Sequence, residues 1–403
     1  MRLRGCVAIE LFVGALTAAA LSGAVIWGVA ELRGAEAGEM AGAATDHGRT
    51  RAALAVPAEG GPDGQAAGPE DQGGPIRVRP SGVEVASIAG ELPPADAARA
   101  SQPQSDRSWS GQFLGRSDEE LLGPLRDSPV SGVKLNKGGS SLSLRLDFES
   151  GARAACKPNQ IYMQSQPRRE IAAYRVNRLL GLSSVPPAVG RRFRVAEVAD
   201  RFRADRVRDR AHFLAEIIPE RDEAGTVVGE LTWWIPDLGP ALIEGFDIDS
   251  VEGVVTWKRY LTIGQEIPPA NRTMVGQISE LLLFDFVINN SDRWSGGNIK
   301  TSKGESSLVF IDNTLSFGGD PNGHNRVRTY LYRSQKFPRR LVERLRQLGA
   351  GELESAMTRE IDPFPFLLER NEMRAVLKRR DIAVKYIDDL IAKFGEEAVL
   401  VFP

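Results

Sequence analysis

The sequence predicts an α+β fold, strand-rich first and helical after, behind an N-terminal apolar segment and a low-complexity linker. Three observations lead there. In SLSLRLDF, Leu142, Leu144, Leu146 and Phe148 alternate on one face, the pattern of a half-buried strand. Beyond Thr273 the periodicity turns helical, with helices expected near Met274–Asn289, Arg339–Leu348, Phe366–Lys378 and Arg380–Phe394. The composition also shifts near Trp109 from small and polar residues to ordinary hydrophobic density.

Composition narrows the function classes. The chain has 403 residues, 42% hydrophobic, with a formal net charge of −2 and a pI near 6.1. That balance argues against a nucleic-acid partner. Its three histidines (His47, His212, His324) make a triad hydrolase or a His-ligated metal a poor expectation. Two cysteines, Cys6 and Cys156, form no CxxC pair and imply neither a disulfide framework nor a zinc site.

Three regions are expected: residues 1–33, 34–105 and 106–403. The first carries a 20-residue apolar run from Leu11 to Ala30 behind Arg2 and Arg4. At 1.5 Å per residue such a run spans about 30 Å, the thickness of a bilayer's hydrocarbon core. A retained single-pass anchor is the expectation, with the basic residues cytoplasmic and the rest of the chain on the non-cytoplasmic side (periplasm, exterior or secretory lumen). A cleaved signal peptide ending near Ala35-Glu36-Ala37 is the alternative, although the run exceeds the usual h-region. Residues 34–105, with GGPDGQAAGPEDQGGP at their centre, have too few large apolar residues to offset ordering entropy and are expected to be a disordered linker.

The domain from 106 opens with a short helix capped by Ser117, where Glu120 completes a capping box. The strand at 142–148 follows. The turn Glu149-Ser150-Gly151 leads into a second strand, ARAACKP, halted by Pro158. A helix is expected at Arg168–Leu180, ended by Gly181. Further strands are expected at Arg192–Val195 and Phe213–Ile218. Trp233-Trp234 is expected to be core or rim packing.

The candidate chemistry is spread along the domain. Lys157 ends the second strand, where a side chain can point into a cleft. Upstream, NKGGSS (Gly138, Gly139, Ser140) is a turn whose N–H groups could cover phosphates, although an ordinary hairpin explains it as well. Glu170 opens the next helix and could hold a lysine or a metal. Asp292 follows the small polar residues Asn289, Asn290 and Ser291 in a turn, where a carboxylate can orient a hydroxyl and take its proton. Asp312 comes 20 residues later, directly after the apolar run Leu308–Ile311, where a carboxylate needs a partner. Asn298 offers an oxygen of the kind magnesium or manganese takes. Asn313 is expected to be a turn residue only. A carboxylate on one loop and a second one after the next strand is how kinase-like folds build a phosphoryl-transfer site.

These segments also resemble a known family. AACKP, EIAAYRVNRLLGLSSVPPAVGR, LLLFDFVINNSDR and VFIDNTLSFG, in order over roughly 130–345, are similar to the secretory-pathway Golgi casein kinase and four-jointed family of atypical kinases. The resemblance implies a two-lobed kinase-like fold using ATP with Mn2+ or Mg2+. It places Lys157 on the nucleotide phosphates, Glu170 beside it to fix lysine and metal, Asp292 as catalytic base and Asp312 as metal ligand. The activity implied is transfer of the ATP γ-phosphate to a hydroxyl of a protein or sugar acceptor. Two departures keep alternatives open. The segment Trp294–Asn298 differs from the casein-kinase continuation, which makes a pseudokinase scaffold one alternative. Its GGNI is similar to loops of phosphoinositide kinases and HipA-like kinases, which is another. The low cysteine content points to a bacterial relative.

Overall fold

The computed structural model describes residues 111–403 except 138, 223–224, 296 and 303–306. The expected anchor, the linker and Gly138 lie outside the described residues.

A small hairpin, β1 (Gln112–Phe113) with β2 (Arg116–Ser117), leads into helix α1 (Asp118–Asp127). Ser117 caps α1 as expected: its hydroxyl accepts from the Glu120 N–H, and the Glu120 carboxylate accepts from the Ser117 N–H at 2.9 Å. Strands β3 (Val130–Leu135), β4 (Leu144–Phe148) and β5 (Arg153–Pro158) follow, then helix α2 (Arg168–Leu179). Gly181 stops α2 with φ +73°, which glycine adopts without a Cβ clash.

Strand β6 (Ala188–Arg194) runs into α3 (Val195–Asp200), then α4 (Val207–Glu216) and β7 (Thr226–Trp233). The sheet is antiparallel throughout, in the order β3-β4-β5-β7-β6. Two expectations are corrected here. Residues 213–216 are the last turn of a helix, not the start of a strand. In FLAEII the apolar residues at 213, 214, 217 and 218 fit helical spacing too, and the two that bury, Phe213 and Ile217, are one turn apart. The strand run at 192–195 ends one residue early, because Val195 opens α3. Strands β3 and β7 escaped the sequence reading for opposite reasons. β3 is an edge strand with only Val133 buried, so it lacks alternation. β7 is a central strand buried on both faces over its first six residues, so it shows no period of two.

The second half holds β8 (Leu238–Pro240), the hairpin β9 (Leu242–Ile243) and β10 (Phe246–Asp247), and helices α5 (Val251–Tyr260) and α6 (Arg272–Ile288). α6 is buried at nearly every position from Val275 on, and Asn289, at φ 58°, closes it in the left-handed conformation. Strands β11 (Ile299–Ser302) and β12 (Leu308–Phe310) join β8 in a small sheet ordered β12-β11-β8. Helices α7 (Asn325–Leu331), α8 (Arg339–Gln347), α9 (Ala350–Thr358), α10 (Arg370–Phe394) and α11 (Glu396–Val399) complete the domain.

α10 corrects the expectation of two helices at 366–378 and 380–394. It is one helix of 25 residues, starting at Arg370 behind a capping box of Glu369 and Glu372. The basic cluster at 378–380 contains no helix breaker. Arg379 turns inward instead and donates to the carbonyls of Val287, Gly318 and Asp320. The five-stranded sheet has its own core, with Leu144, Leu146, Phe193 and Leu231, while α2 packs with the later helices around Ile278, Leu282 and Phe286. Among the described residues, no helix is long and apolar enough to cross a membrane.

Candidate active site

Lys157 sits near the end of β5, opposite Glu230 on β7. Its side chain is nearly buried, and Nζ lies 2.6 Å from Asp312 Oδ1 and 3.4 Å from Glu170 Oε1. Burial alone would lower the ammonium's pKa. Glu170 and then Asp312 outweigh it and raise the lysine above its ordinary value, so Lys157 stays charged. The same contest runs at Asp312: burial pushes its carboxyl up, and Lys157 beside it holds it below the usual carboxylate range.

Glu170, in the first turn of α2, spends both oxygens on protein donors. Oε1 accepts from Lys157 and from the Asn313 N–H at 2.8 Å, and Oε2 accepts from the Asn313 side-chain amide at 3.0 Å. Asn313 is therefore more than a turn residue. It is fully buried and joins the segment after β12 to α2. Glu230 is a further carboxyl that the sequence did not suggest. Burial, then the nearby Glu170, pushes it well above the ordinary range.

Asp292 stands in the turn after α6, half-buried. Its Oδ1 accepts from the Ser295 hydroxyl at 2.8 Å and its Oδ2 from the Asn298 amide at 3.1 Å. Arg293 does not pair with it. The guanidinium turns inward, fully buried, onto Asp285 at 3.2 Å. It also donates to the carbonyls of Asn298 and Ile311 and to the Asn313 side chain. Asn290, also fully buried, donates to the Asp312 carbonyl and accepts from the Asp292 N–H. Arg293, Asn290 and Asn313 thus lock the Asp292 loop to the Asp312 loop. A buried arginine next to a surface-looking aspartate leaves no periodic signal, but the run of Asn and Asp at 289–293 and 312–313 marks backbone that needs side-chain partners.

Lys157, Glu170, Glu230 and Asp312 all line a cavity of about 260 Å³. Ala155, Val185, Pro186, Trp233, Ile235 and Phe310 line it with apolar surface. Trp233 and Trp234, expected as packing residues, are part of that lining. The Gly139–Ser140 turn is the tip of the β3–β4 hairpin, with Gly139 at φ +84°, and Ser140 donates to the Tyr162 hydroxyl at 3.1 Å. Neither Gly139 nor Ser140 is among the residues lining the cavity, whereas Ser143 of the same connection is.

The donor set suits a divalent cation held together with phosphates. Asp312 uses Oδ1 for Lys157 and Thr314, its side chain is 39% exposed, and Oδ2 meets no protein donor among the described residues. Among the described residues no group of three or more His, Cys, Asp or Glu could hold a metal by itself. One free carboxylate oxygen with phosphate oxygens for the rest is how magnesium-type ions are commonly held.

The chain is similar to several known proteins. No family model matches the chain. It is 24% identical over 314 residues to the glycosaminoglycan xylosylkinase of Danio rerio, covering 70% of this chain and 77% of that protein. It is 21% identical over 324 residues to human extracellular serine/threonine protein kinase FAM20C, covering 70% of this chain and 56% of that one. A crystal structure of the Golgi casein kinase with Mn/ADP bound superposes with TM-score 0.53 at 17% identity, covering 70% of this chain and 78% of that one. The chain is thus distantly similar in sequence to kinases of the Golgi casein kinase group and shares their fold. Hydra Fam20, in a structure with sugar, shares the same fold at TM-score 0.53 and 17% identity, covering 70% of this chain and 92% of that one. The shared fold accounts for the strand-rich part and the helical part.

Proposed function

We propose that this chain is a divalent-metal-dependent kinase moving the γ-phosphate of ATP to a hydroxyl of a protein or sugar acceptor. One observation carries the proposal: Lys157 is clamped between Glu170 and Asp312 in the lining of a largely apolar cavity, and buried side chains cross-link that clamp to the Asp292 loop.

In this reading the cavity wall takes the adenine. Lys157, kept charged by its two carboxylates, meets the phosphates. Glu170 positions Lys157 and Asn313. Asp312 and the phosphates would together hold Mn2+ or Mg2+, and such an ion neutralises the charge that builds on the transferring group. Asp292 orients the acceptor hydroxyl and takes its proton at a carboxylate oxygen, with Ser295 and Asn298 fixing the carboxylate plane. Asn298 holds Asp292 through its side-chain N–H, and its side-chain oxygen is the atom that could contribute to the metal. The relatives named above include a sugar kinase and a protein kinase, which supports both acceptor classes.

Thermal shift with ATP and manganese, on the wild type and Asp312→Ala, tests the reading. Ligand binding to the native state raises the melting temperature by mass action. The wild type should shift and Asp312→Ala should not; equal shifts in both would sink the proposal. For location, Arg2 and Arg4 before the apolar run support a domain on the non-cytoplasmic side, and a reporter fused to the C-terminus tests that placement.

A further inference from the structure

Arg379, near the middle of α10, is fully buried, and among the described residues it bonds carbonyls and no carboxylate. Its Nε donates to the Val287 carbonyl at 2.9 Å, and its Nη1 to those of Gly318 at 3.1 Å and Asp320 at 2.6 Å. Nη2 has no hydrogen-bond partner among the described residues. Burial pulls the guanidinium down to about 10, with the Asp320 charge opposing, so it stays ionised at neutral pH. A buried cation without a bonded carboxylate is expensive, and a methionine would fill the space without that cost. Packing alone does not explain an arginine here.

The three carbonyls belong to the two stretches of backbone that carry the catalytic carboxylates. Val287 is the next-to-last residue of α6, where carbonyls lack an intrahelical donor, and Asp292 follows five residues on. Gly318 and Asp320 lie between β12 and α7, in a stretch with no helix or strand, and Asp312 precedes Gly318 by six residues. The same two stretches meet twice more. The Phe317 N–H donates to the Ile288 carbonyl at 2.6 Å, and Asn289 Oδ1 accepts from the His324 N–H at 2.7 Å. Gly323 lets the second stretch close over the arginine stem. It has φ +75°, and a Cβ there would stand 3.1 Å from the Phe286 ring and 3.3 Å from Arg379 Cδ.

The same helix reaches the lysine clamp. Glu372, two turns before Arg379, accepts from Arg168 and Arg169, which flank Glu170 at the start of α2. Seven residues at 1.5 Å rise put about 10 Å between the two attachments. One helix thus holds the turn that carries Glu170 and, separately, the flanks of the Asp292 and Asp312 loops.

We propose that Arg379 is a positioning residue for phosphoryl transfer: by bridging the end of α6 to the segment after Asp312, it fixes how far Asp292 stands from Asp312. The reaction named here rests on the kinase reading above; the bridge does not. Arg379 is not among the residues lining the cavity, so it acts on alignment and not by touching the nucleotide. Transfer needs the acceptor hydroxyl, placed by Asp292, within about 3–3.5 Å of the phosphoryl group held at Asp312, and an error of about 1 Å costs about 10²-fold.

The full chain is tested with Arg379→Lys and Arg379→Met. Lysine keeps the charge but gathers its donors on one atom, where the guanidinium serves three carbonyls with two nitrogens. Methionine keeps the length and gives up every donor. ADP release should show kcat about 100-fold lower in both variants, with KM for ATP within about threefold of wild type and the ATP and manganese thermal shift retained. Hydrogen exchange should rise together in peptides covering 284–295 and 312–324. Urea unfolding gives the native fraction under assay conditions, and if the methionine variant does not fold, the lysine variant decides. A kcat per folded molecule equal to that of wild type in Arg379→Lys would overturn the proposal, leaving the arginine a fold-holding role. Loss of nucleotide binding along with kcat would also overturn it, because Arg379 would then act on the clamp. Exchange raised in only one of the two segments would show that no bridge exists. Wild-type protein that releases no ADP with any acceptor removes the kinase reading, and the exchange measurement then still decides the bridge.

Discussion

Asn313 reaches Glu170 with both its donors: the backbone N–H at 2.8 Å and the side-chain amide at 3.0 Å, across 143 residues of chain. Its side-chain oxygen, Oδ1, accepts from Arg293 and Asn290. One buried amide thereby couples the lysine clamp, the segment after Asp312 and the Asp292 loop.

Asn313→Ala should therefore cost about 3 kcal/mol, because it leaves the buried Glu170 and Arg293 each short of a partner. Urea unfolding of the two proteins measures it. Asn313→Asp keeps the acceptor for Arg293 but sets a second carboxylate against Glu170, so it should be no better than alanine. An aspartate variant as stable as the wild type would show that the amide donor to Glu170 is dispensable.

How much of this was legible beforehand divides along physical lines. Lys157, Glu170, Asp292 and Asp312 stood at element ends, where a period of 2 or 3.6 breaks off beside a charge, and the folded chain brings Glu170 and Asp312 each within hydrogen-bond reach of Lys157. The helix at 118–127 was legible because a capping box is local chemistry. Strand β7, buried on both faces, had no alternation to read. Asn313, Asn290 and Arg293 were hidden for a different reason: their roles come from partners distant in sequence, and the residue type alone says only that some partner must exist. Glu230 was hidden likewise, since it faces Lys157 across two strands.

Glu372, at the start of α10, accepts from both guanidinium nitrogens of Arg168, at 2.7 and 3.0 Å, and from Arg169 at 2.7 Å. Those arginines share a helical turn with Glu170, so the latch fixes where Glu170 meets Lys157. Burial pushes the Glu372 carboxyl up, but Arg168 more than compensates and holds it below its ordinary value. A depressed folded-state pKa gives stability that is present above the unfolded value and lost as pH falls. Glu372→Gln should cost about 3 kcal/mol at neutral pH, less in acid, and should weaken ADP binding several-fold. An unchanged ADP titration beside a lowered melting temperature would limit the latch to holding the fold.

Glu280 on α6 lies in a separate cavity with Leu180, Arg340 and Arg344, and burial pushes its carboxyl up to about 7. A folded-state pKa above the unfolded one contributes stability below the unfolded value, and the contribution disappears as pH rises through the folded one. Ionised Glu280 thus strains the native state above pH 7. Glu280→Gln should raise stability by about 2 kcal/mol at pH 8 and by much less at pH 5. Unfolding midpoints at the two pH values check the sign; a gain that is largest at pH 5 would contradict it.

Asp292 and Asp312 separate by what each loses. Among the described residues the Asp292 carboxylate accepts from Ser295 and Asn298 and not from the clamp, so Asp292→Asn leaves the clamp and the cavity intact. It should lower kcat by about 10²–10⁴, the usual contribution of a positioned acid or base, with the ATP and manganese thermal shift unchanged. Asp312→Asn keeps the shape but removes the charge opposite Lys157 Nζ at 2.6 Å. It should lose the manganese-dependent part of the shift together with turnover. The paired assay of ADP release and thermal shift distinguishes them, because a base mutant binds without reacting and a metal-site mutant does neither. If Asp292→Asn abolished nucleotide binding as well, Asp292 would belong to the binding site, and the proton would have to leave the acceptor hydroxyl by another group.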